Sequence, residues 1–310
     1  MDQLFAVTPY GWYASLALFS GILVSYLYLN RVRRYPMHIF LAFGVMTVPC
    51  VFVLSRLVFV LANCTYYLTT LSKPVLALYF WDGGYSMMGA FFGACLAAFL
   101  TGRLMHLSPR VFLDSVGMGF PIAAVIARLA EAGTGLGEGR PIDGGFIPPL
   151  APEGFDGFLH PVFLYEALAA LVIFVVLQIL SRAHHQLPHE GDLLLMEMTC
   201  YGLCEVFLES LKDDGHMVVH FVRIQQVLAI VLVVVAMVVW ARRIRTKKKD
   251  ILICALITIG AIGLAILSEF GVDRWGNRLL AYGLMLVCLL SILLCAMHLY
   301  HLTLKEGLKG

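Results

Sequence analysis

Nine apolar stretches, each close to the length that crosses a bilayer, divide this chain and leave it few ways to fold. They run over 11–29, 38–61, 84–102, 113–130, 158–181, 193–210, 225–241, 251–269 and 279–300. About 20 apolar residues span the hydrocarbon core as a helix, and lipid offers no partner to an unpaired backbone amide. An all-α polytopic integral membrane protein is the expected class. Composition agrees: 60% hydrophobic residues, 14% charged residues and a mean hydropathy of +0.86 leave too little polar surface for a soluble globule.

The net charge of +2 says little, whereas its distribution says more. With the N-terminus outside, alternate loops gather Arg31, Arg33, Arg34, Arg103, Arg110, Arg182, the basic run around 242–249, Lys305 and Lys309 on the inner side. Lys73, Arg140, Lys212, Arg223, Arg274 and Arg278 fall outside. This asymmetry favours an outer N-terminus and a cytoplasmic C-terminus in a bacterial plasma membrane. MDQLFAVTPY lacks a basic n-region and no small-residue cleavage site follows, so no removed signal peptide is expected. The run ARRIRTKKK (241–249) needs only topology and attraction to anionic membrane lipids; no nucleic-acid partner is expected. Eight cysteines show neither metal-ligand spacing nor a disulfide framework, and read as buried free thiols.

The chain divides unevenly. Residues 1–246 hold seven apolar segments, two longer outer loops (62–83 and 131–157) and nearly all the intramembrane polar residues. Residues 247–310 add a basic linker and two almost purely apolar helices. No internal repeat is visible.

Ionisable residues inside membrane segments mark functional candidates, because their burial must be compensated. Arg56 interrupts VPCVFVLSRLVFVLAN, either as an interhelical contact or as a cation lining a cavity for an anionic head group. Arg128 closes FPIAAVIARLAEAG with Glu131 three residues on, a spacing that suits a local pair or a phosphate grip. In LLLMEMTCYGLCEVFLES, Glu197, Tyr201, Glu205 and Glu209 recur every four residues and Lys212 continues the row. That face turns into the bundle or into an aqueous cavity. FLHPVFLYEAL brings His160, Tyr165 and Glu166 to a helix mouth, with Pro161 in its first turn and His160 at its cap. GTGLGEGRP (133–141) reads as an outer or re-entrant loop, lacking the strand and the Lys-Ser/Thr pair of a phosphate loop. HHQLPH (184–189) reads as a solvated linker.

Taken in order, these islands resemble the bacterial prolipoprotein diacylglyceryl transferases over about 230 residues. Trp12 and Tyr13 resemble a WYG element with Ala14 in place of its Gly. SRL around Arg56 resembles GGRIG. WDGGYSMMGAFFG (81–93) matches WDGG-x-S-x-H-G-G with Met88 at the His. Asp114, Pro121 and Arg128 lead into the signature G-R-x-G-N-F-x-N-G-E, where Glu131 stands for Asn and Leu136 for Glu. HPVFLYE reproduces H-P-x-x-x-Y-E, and YGLCEVFLESLKDD resembles Y-G-x-x-R-x-x-x-E-x-x-R-x-x-D, with Glu205 and Lys212 in place of the two Arg. Gln226 fits the Gln that opens the last family helix.

The resemblance implies a seven-helix transferase bundle that moves diacylglyceryl from phosphatidylglycerol to the thiol of a lipobox cysteine, releasing glycerol phosphate. It implies a phospholipid donor and a lipoprotein-precursor acceptor, and brings no metal or cofactor. Candidate catalytic residues are Arg128, His160, Glu131, Glu205, Glu209 and Tyr13; candidates for substrate binding are Arg56, Gly139, Arg140, Tyr165, Glu166 and Lys212. The replacements at Met88 and Glu205 leave a second reading open, a relative that has lost or changed the reaction and binds or modifies another lipid. A small-molecule transporter is a lesser alternative, disfavoured by the missing repeat.

Overall fold

The computed structural model describes residues 9–70, 75, 79, 83–142, 146–155, 157–182, 189–213, 218–219, 222–274 and 277–307. Trp81, Asp82, Lys73, Asp214 and all of HHQLPH except His189 lie outside them.

The described residues form nine α-helices: α1 (Pro9–Arg33), α2 (Met37–Ala62), α3 (Met87–Leu104), α4 (Pro109–Leu129), α5 (Val162–Arg182), α6 (Asp192–Glu209), α7 (Ile224–Arg243), α8 (Lys248–Arg274) and α9 (Arg278–Gly307). Eight of them are long and apolar enough to cross a membrane. The exception is α6, whose Asp192, Glu197, Glu205 and Glu209 lower its apolar content, yet all four are buried. The bundle, rather than lipid, surrounds that helix.

Helix α4 is the centre, packing against α1, α3, α5 and α6. The glycines of α4 explain its place. A Cβ on Gly119 would sit 2.3 Å from Gly21 O of α1, and one on Gly117 would sit 2.9 Å from Leu194 Cα of α6. In α3, Gly89 and Gly93 likewise let α2 approach, since added Cβ atoms would fall 2.5 Å from Leu54 O and Cys50 O. Small residues four apart permit such close packing, and dispersion across the seam replaces the hydrophobic drive that lipid removes. Ser86 caps α3 by accepting the Gly89 N–H at 3.3 Å.

At the other end of α4, Asp114 accepts the N–H groups of Gly191, Leu193 and Leu194 at 2.7, 3.0 and 3.2 Å, which satisfies the start of α6. The C-terminal pair is docked rather than trailing: α9 packs on α6 and α7, with Trp240 against Tyr300, and α8 packs on α9. All eight cysteines are free.

One feature departs from the all-helical expectation. The segment after α4 forms a small antiparallel sheet ordered β1-β3-β2, from Glu138–Pro141, Gly157–Pro161 and Glu153–Gly154. A second, two-stranded sheet pairs β4 (Val218–Val219) with β5 (Val222–Arg223). His160 and Pro161 therefore end a strand, and α5 begins only at Val162.

Candidate functional site

The sheet fixes the C-terminal ends of α4 and α6 and the N-terminal end of α5 relative to one another. Gly139 of β1 bridges Lys212, while Arg140 N–H bonds Leu211 O at 3.3 Å and Asp213 N–H bonds Glu138 O at 3.1 Å. The strand can lie that close because position 139 is glycine: a Cβ there would meet Val162 Cγ2 at 2.8 Å and His160 Cβ and Leu211 O at 2.9 Å. Gly139 therefore acts through backbone placement, holding Lys212 at the end of the α6 row.

Within this frame lies a buried ionic cluster. Arg128, from the last turn of α4, meets three carboxylates: Nη1 to Glu131 Oε1 at 3.0 Å, Nε to Glu166 Oε2 at 3.1 Å and Nη2 to Glu205 Oε1 at 2.8 Å. Lys212 Nζ meets Glu166 Oε1 at 2.8 Å and Glu209 Oε2 at 2.9 Å. Arg223 closes the chain, with Nη1 3.4 Å from Glu209 Oε1 and Nη2 donating to Lys212 O at 2.6 Å. Glu166 thus bridges the two central cations. Burial pushes the Lys212 ammonium down, but Glu166 and Glu209 outweigh it and hold it above the ordinary lysine value.

With every group ionised, three cations face four carboxylates. Oxygens of Glu166, Glu205 and Glu209 lie within 4.8 Å of one another, which is metal-ligand spacing. Arg128 and Lys212 already make the contacts an ion would have to replace, so the donor set is an ion-pair network in this form.

The cluster closes the polar end of a cavity of about 940 Å³ between α1, α2, α3 and α4. Arg128, Glu131, Lys212 and Gln225 reach its wall, and the remainder is largely apolar, as along Leu18, Val51 and Phe120. Such a volume stands near the top of the roughly 300–1,000 Å³ of small-molecule pockets. Two acceptors on this wall are buried and have no hydrogen-bond partner among the described residues: Glu131 Oε2 and Gln225 Oε1.

Arg128, Glu131, Glu166, Glu205, Glu209 and Lys212 come together, although they arise from three separate stretches of chain. Other candidates lie apart. Arg56 is spent on the loop before α3, donating to Gly83 O, to Gly84 O at 3.0 Å and to Tyr79 O at 2.9 Å, with Phe59 5.8 Å from its guanidinium. Tyr13 is half exposed on α1 and does not line the cavity. His160 Nδ1 lies 3.1 Å from Tyr165 Oη, and neither residue lines the cavity. Met88 is wholly buried in α3.

Sequence reasoning missed Arg223 and Gln225. Gln226, the expected residue, donates to Val206 O at 3.2 Å and Glu269 Oε2 at 3.4 Å, toward α8. Consecutive helix positions point about 100° apart, so its neighbour Gln225 takes the cavity face. The RIQQ stretch that opens α7 held the signal, one residue early.

A model of the family described as prolipoprotein diacylglyceryl transferase matches residues 3–242. The phosphatidylglycerol–prolipoprotein diacylglyceryl transferase of Fervidobacterium nodosum is 31% identical over 270 residues, covering 80% of this chain and 87% of that protein. Its counterpart in Halalkalibacterium halodurans is 27% identical over 249 residues, covering 77% and 83%. The family match contains every residue of the buried cluster and stops at Arg242, before α8 and α9. On that match, the chain belongs to the prolipoprotein diacylglyceryl transferase family, a family of membrane transferases.

Proposed function

We propose that this multi-pass protein of the bacterial plasma membrane takes a diacylglyceryl group from a phospholipid and passes it to a cysteine thiol of a lipoprotein precursor. The observation that carries the reading is the cavity: apolar along α1–α4 and closed at one end by Arg128 and Lys212. An acyl-bearing donor fits that polarity, with its phosphate at the cations.

The residues divide the work. Arg128 and Lys212 hold the phosphate and receive the charge that develops as it leaves. Glu166, Glu205 and Glu209 position those cations by fixing their donor directions. The thiol sulfur bonds to the terminal glycerol carbon as the C–O bond to phosphate breaks. The electron pair leaves with the phosphate oxygen, which takes up the thiol proton. His160 is left out of this scheme, since it bonds Tyr165 and does not line the cavity. The N-terminus is assigned to the outer side and the C-terminus to the cytoplasm, in keeping with the loop charges. Residues 1–246 carry the reaction, and 247–310 form the docked extension.

The test is purified protein in liposomes of mixed phospholipids with a lipobox-type cysteine peptide. A peptide mass gain of one diacylglyceryl group on sulfur is expected; no gain with any donor would remove this reading. One observation favours a second reading, a relative with altered chemistry. Met88 fills the place of the element's His with a wholly buried thioether, which carries no proton. Rescue of a strain depleted of its own transferase supports the first reading, and failure at normal expression supports the second.

A further inference from the structure

We propose that residues 146–155 form an interfacial membrane anchor, seating apolar side chains in the lipid head-group layer at the end of the bundle that carries the ionic cluster. The inference does not depend on the transferase reading above.

Three observations point there. The first is what the loop presents. In FIPPLAPEGF (146–155), Phe155 is fully exposed, Phe146 is 81% and Leu150 62% exposed, and Ile147 is about half exposed. Glu153 is the single charge among these ten residues. A loop bathed in water carries polar residues, whereas large apolar groups gathered on one mark contact with another apolar surface. Pro148, Pro149 and Pro152 have no N–H, so this stretch leaves fewer backbone donors to be kept in water.

The second is a strained turn. Ala151 N–H bonds Pro148 O at 3.3 Å, closing a turn with Pro149 and Leu150 at its two central positions. Leu150 holds φ at +61° there. Glycine or asparagine adopts that conformation readily, but a leucine is strained in it. An exposed leucine held against its backbone preference needs a contact that offsets the strain, and lipid supplies one.

The third is position. Lys212, beyond the end of α6, bridges Gly139 of β1, β1 pairs with β3, and β3 pairs with β2. Neighbouring strands lie about 4.8 Å apart, so each step leads away from α6 and the loop enters β2 at the far edge of the sheet. On its other side β3 passes into α5 with no linker between Pro161 and Val162. Helix α5 has 21 residues, about 31 Å of helix, and so needs its full length to cross a hydrocarbon core of about 30 Å. Val162 therefore lies at the boundary of that core, and the sheet begins in the head-group layer. The exposed apolar flank of α5, with Leu168, Val172 and Ile179, continues from it into the lipid. The loop thus extends a surface already in the membrane, which favours lipid over a protein partner. Irregular backbone is not tolerated in the hydrocarbon itself, which sets the depth at the head groups. Because β1 also fixes Lys212, an anchored sheet holds the polar end of the cavity at the level of phospholipid phosphates.

Fluorescence and photolabelling read the contact directly. Phe146→Trp and Phe155→Trp place reporters at exposed sites of the full chain in phospholipid nanodiscs. Their signal is taken as the difference from the unaltered protein, which has four tryptophans of its own. Both are expected to emit at shorter wavelength than a tryptophan in water. They should lose most of the added emission when the acyl chains are brominated near the glycerol, and little of it to aqueous iodide. The unaltered protein, irradiated with a phospholipid carrying a carbene precursor near the ester, should be labelled within 146–155 as well as on α5. Water-like emission quenched by iodide and untouched by bromine would overturn the proposal, as would labels on α5 with none on 146–155. An emission shift that appears only on adding a lipobox-type cysteine peptide would assign the loop to the acceptor, and overturns it too. Neither readout requires turnover, so failure of the transferase reading leaves both intact.

Discussion

Helix α6 runs between two buried ionic clusters, and the contrast between them separates architecture from site. At its N-terminal end Asp192 is fully buried and fully engaged, with Arg243 Nη1 at 2.5 Å and Trp240 Nε1 at 3.3 Å. Asp114 alongside it is committed to three backbone N–H groups. At its C-terminal end Glu205, Glu209 and Lys212 are as deeply buried, yet their network opens on a cavity where Glu131 Oε2 is unfilled. Both clusters solve the problem of placing charge within a membrane bundle. Only the C-terminal one keeps bonding capacity on the cavity wall. Burial of charge alone therefore does not identify a site; an unused valence on a cavity wall does.

The largest expected effect comes from breaking the cluster on the cavity at its centre. Arg128→Ala leaves Glu131, Glu166 and Glu205 without their shared cation, and removing one partner of a buried pair costs about 3–5 kcal/mol. Thermal unfolding should fall sharply and peptide lipidation should be lost. Arg128→Lys should recover more stability than activity, because an ammonium cannot reproduce the three-way fork. Equal recovery of both would dissolve the distinction between charge and geometry.

The cluster at Asp192 should respond differently. Asp192→Asn weakens its bonds to Arg243 and costs stability of about 1–3 kcal/mol. Turnover per folded molecule should be unchanged, and a parallel fall would merge the two ends of α6 into one functional unit. Between them sits Glu197, wholly buried, with neither oxygen hydrogen-bonded among the described residues. Replacing such a group by an apolar one of similar size is close to neutral or stabilising, so Glu197→Leu should keep the unfolding free energy within about 1 kcal/mol or raise it. Loss of lipidation there would extend the site two turns inward.

The smallest effect is on pH. Lys212 titrates above the ordinary lysine value, so its stabilising share is fully present below its unfolded value and fades only as pH rises through the raised folded one. The stability difference between the protein and Lys212→Gln should therefore be flat from neutral pH up to about 10, near the unperturbed lysine value. A slope near neutrality would contradict the ion pairs with Glu166 and Glu209.

Much of this was legible before any coordinates. Segment length and apolarity mark all nine helices, and four-residue spacing puts Glu205, Glu209 and Lys212 on one face. The same spacing also groups Glu197, which lies about 12 Å below Glu205 along the axis and outside the cluster, because period gives a face but not a depth. The partners of Arg128 on α5 and α6 are distant in sequence, and no local pattern predicts their meeting. Arg56 shows the opposite limit: a charge within an apolar segment can be consumed by the carbonyls of a nearby loop. Strands of two to five residues without alternation, such as β1–β3, leave no periodic signal, so the sheet that places Lys212 was hidden in a Gly-rich loop.

The most direct test is the structure of the full chain in a phospholipid nanodisc at a resolution that shows head groups. The account predicts one lipid with acyl chains between α1 and α4 and its phosphate at hydrogen-bond distance, roughly 2.7–3.2 Å, from Arg128 or Lys212 nitrogens. An acyl chain in the polar end, or a lipid phosphate seated away from both cations, would contradict it.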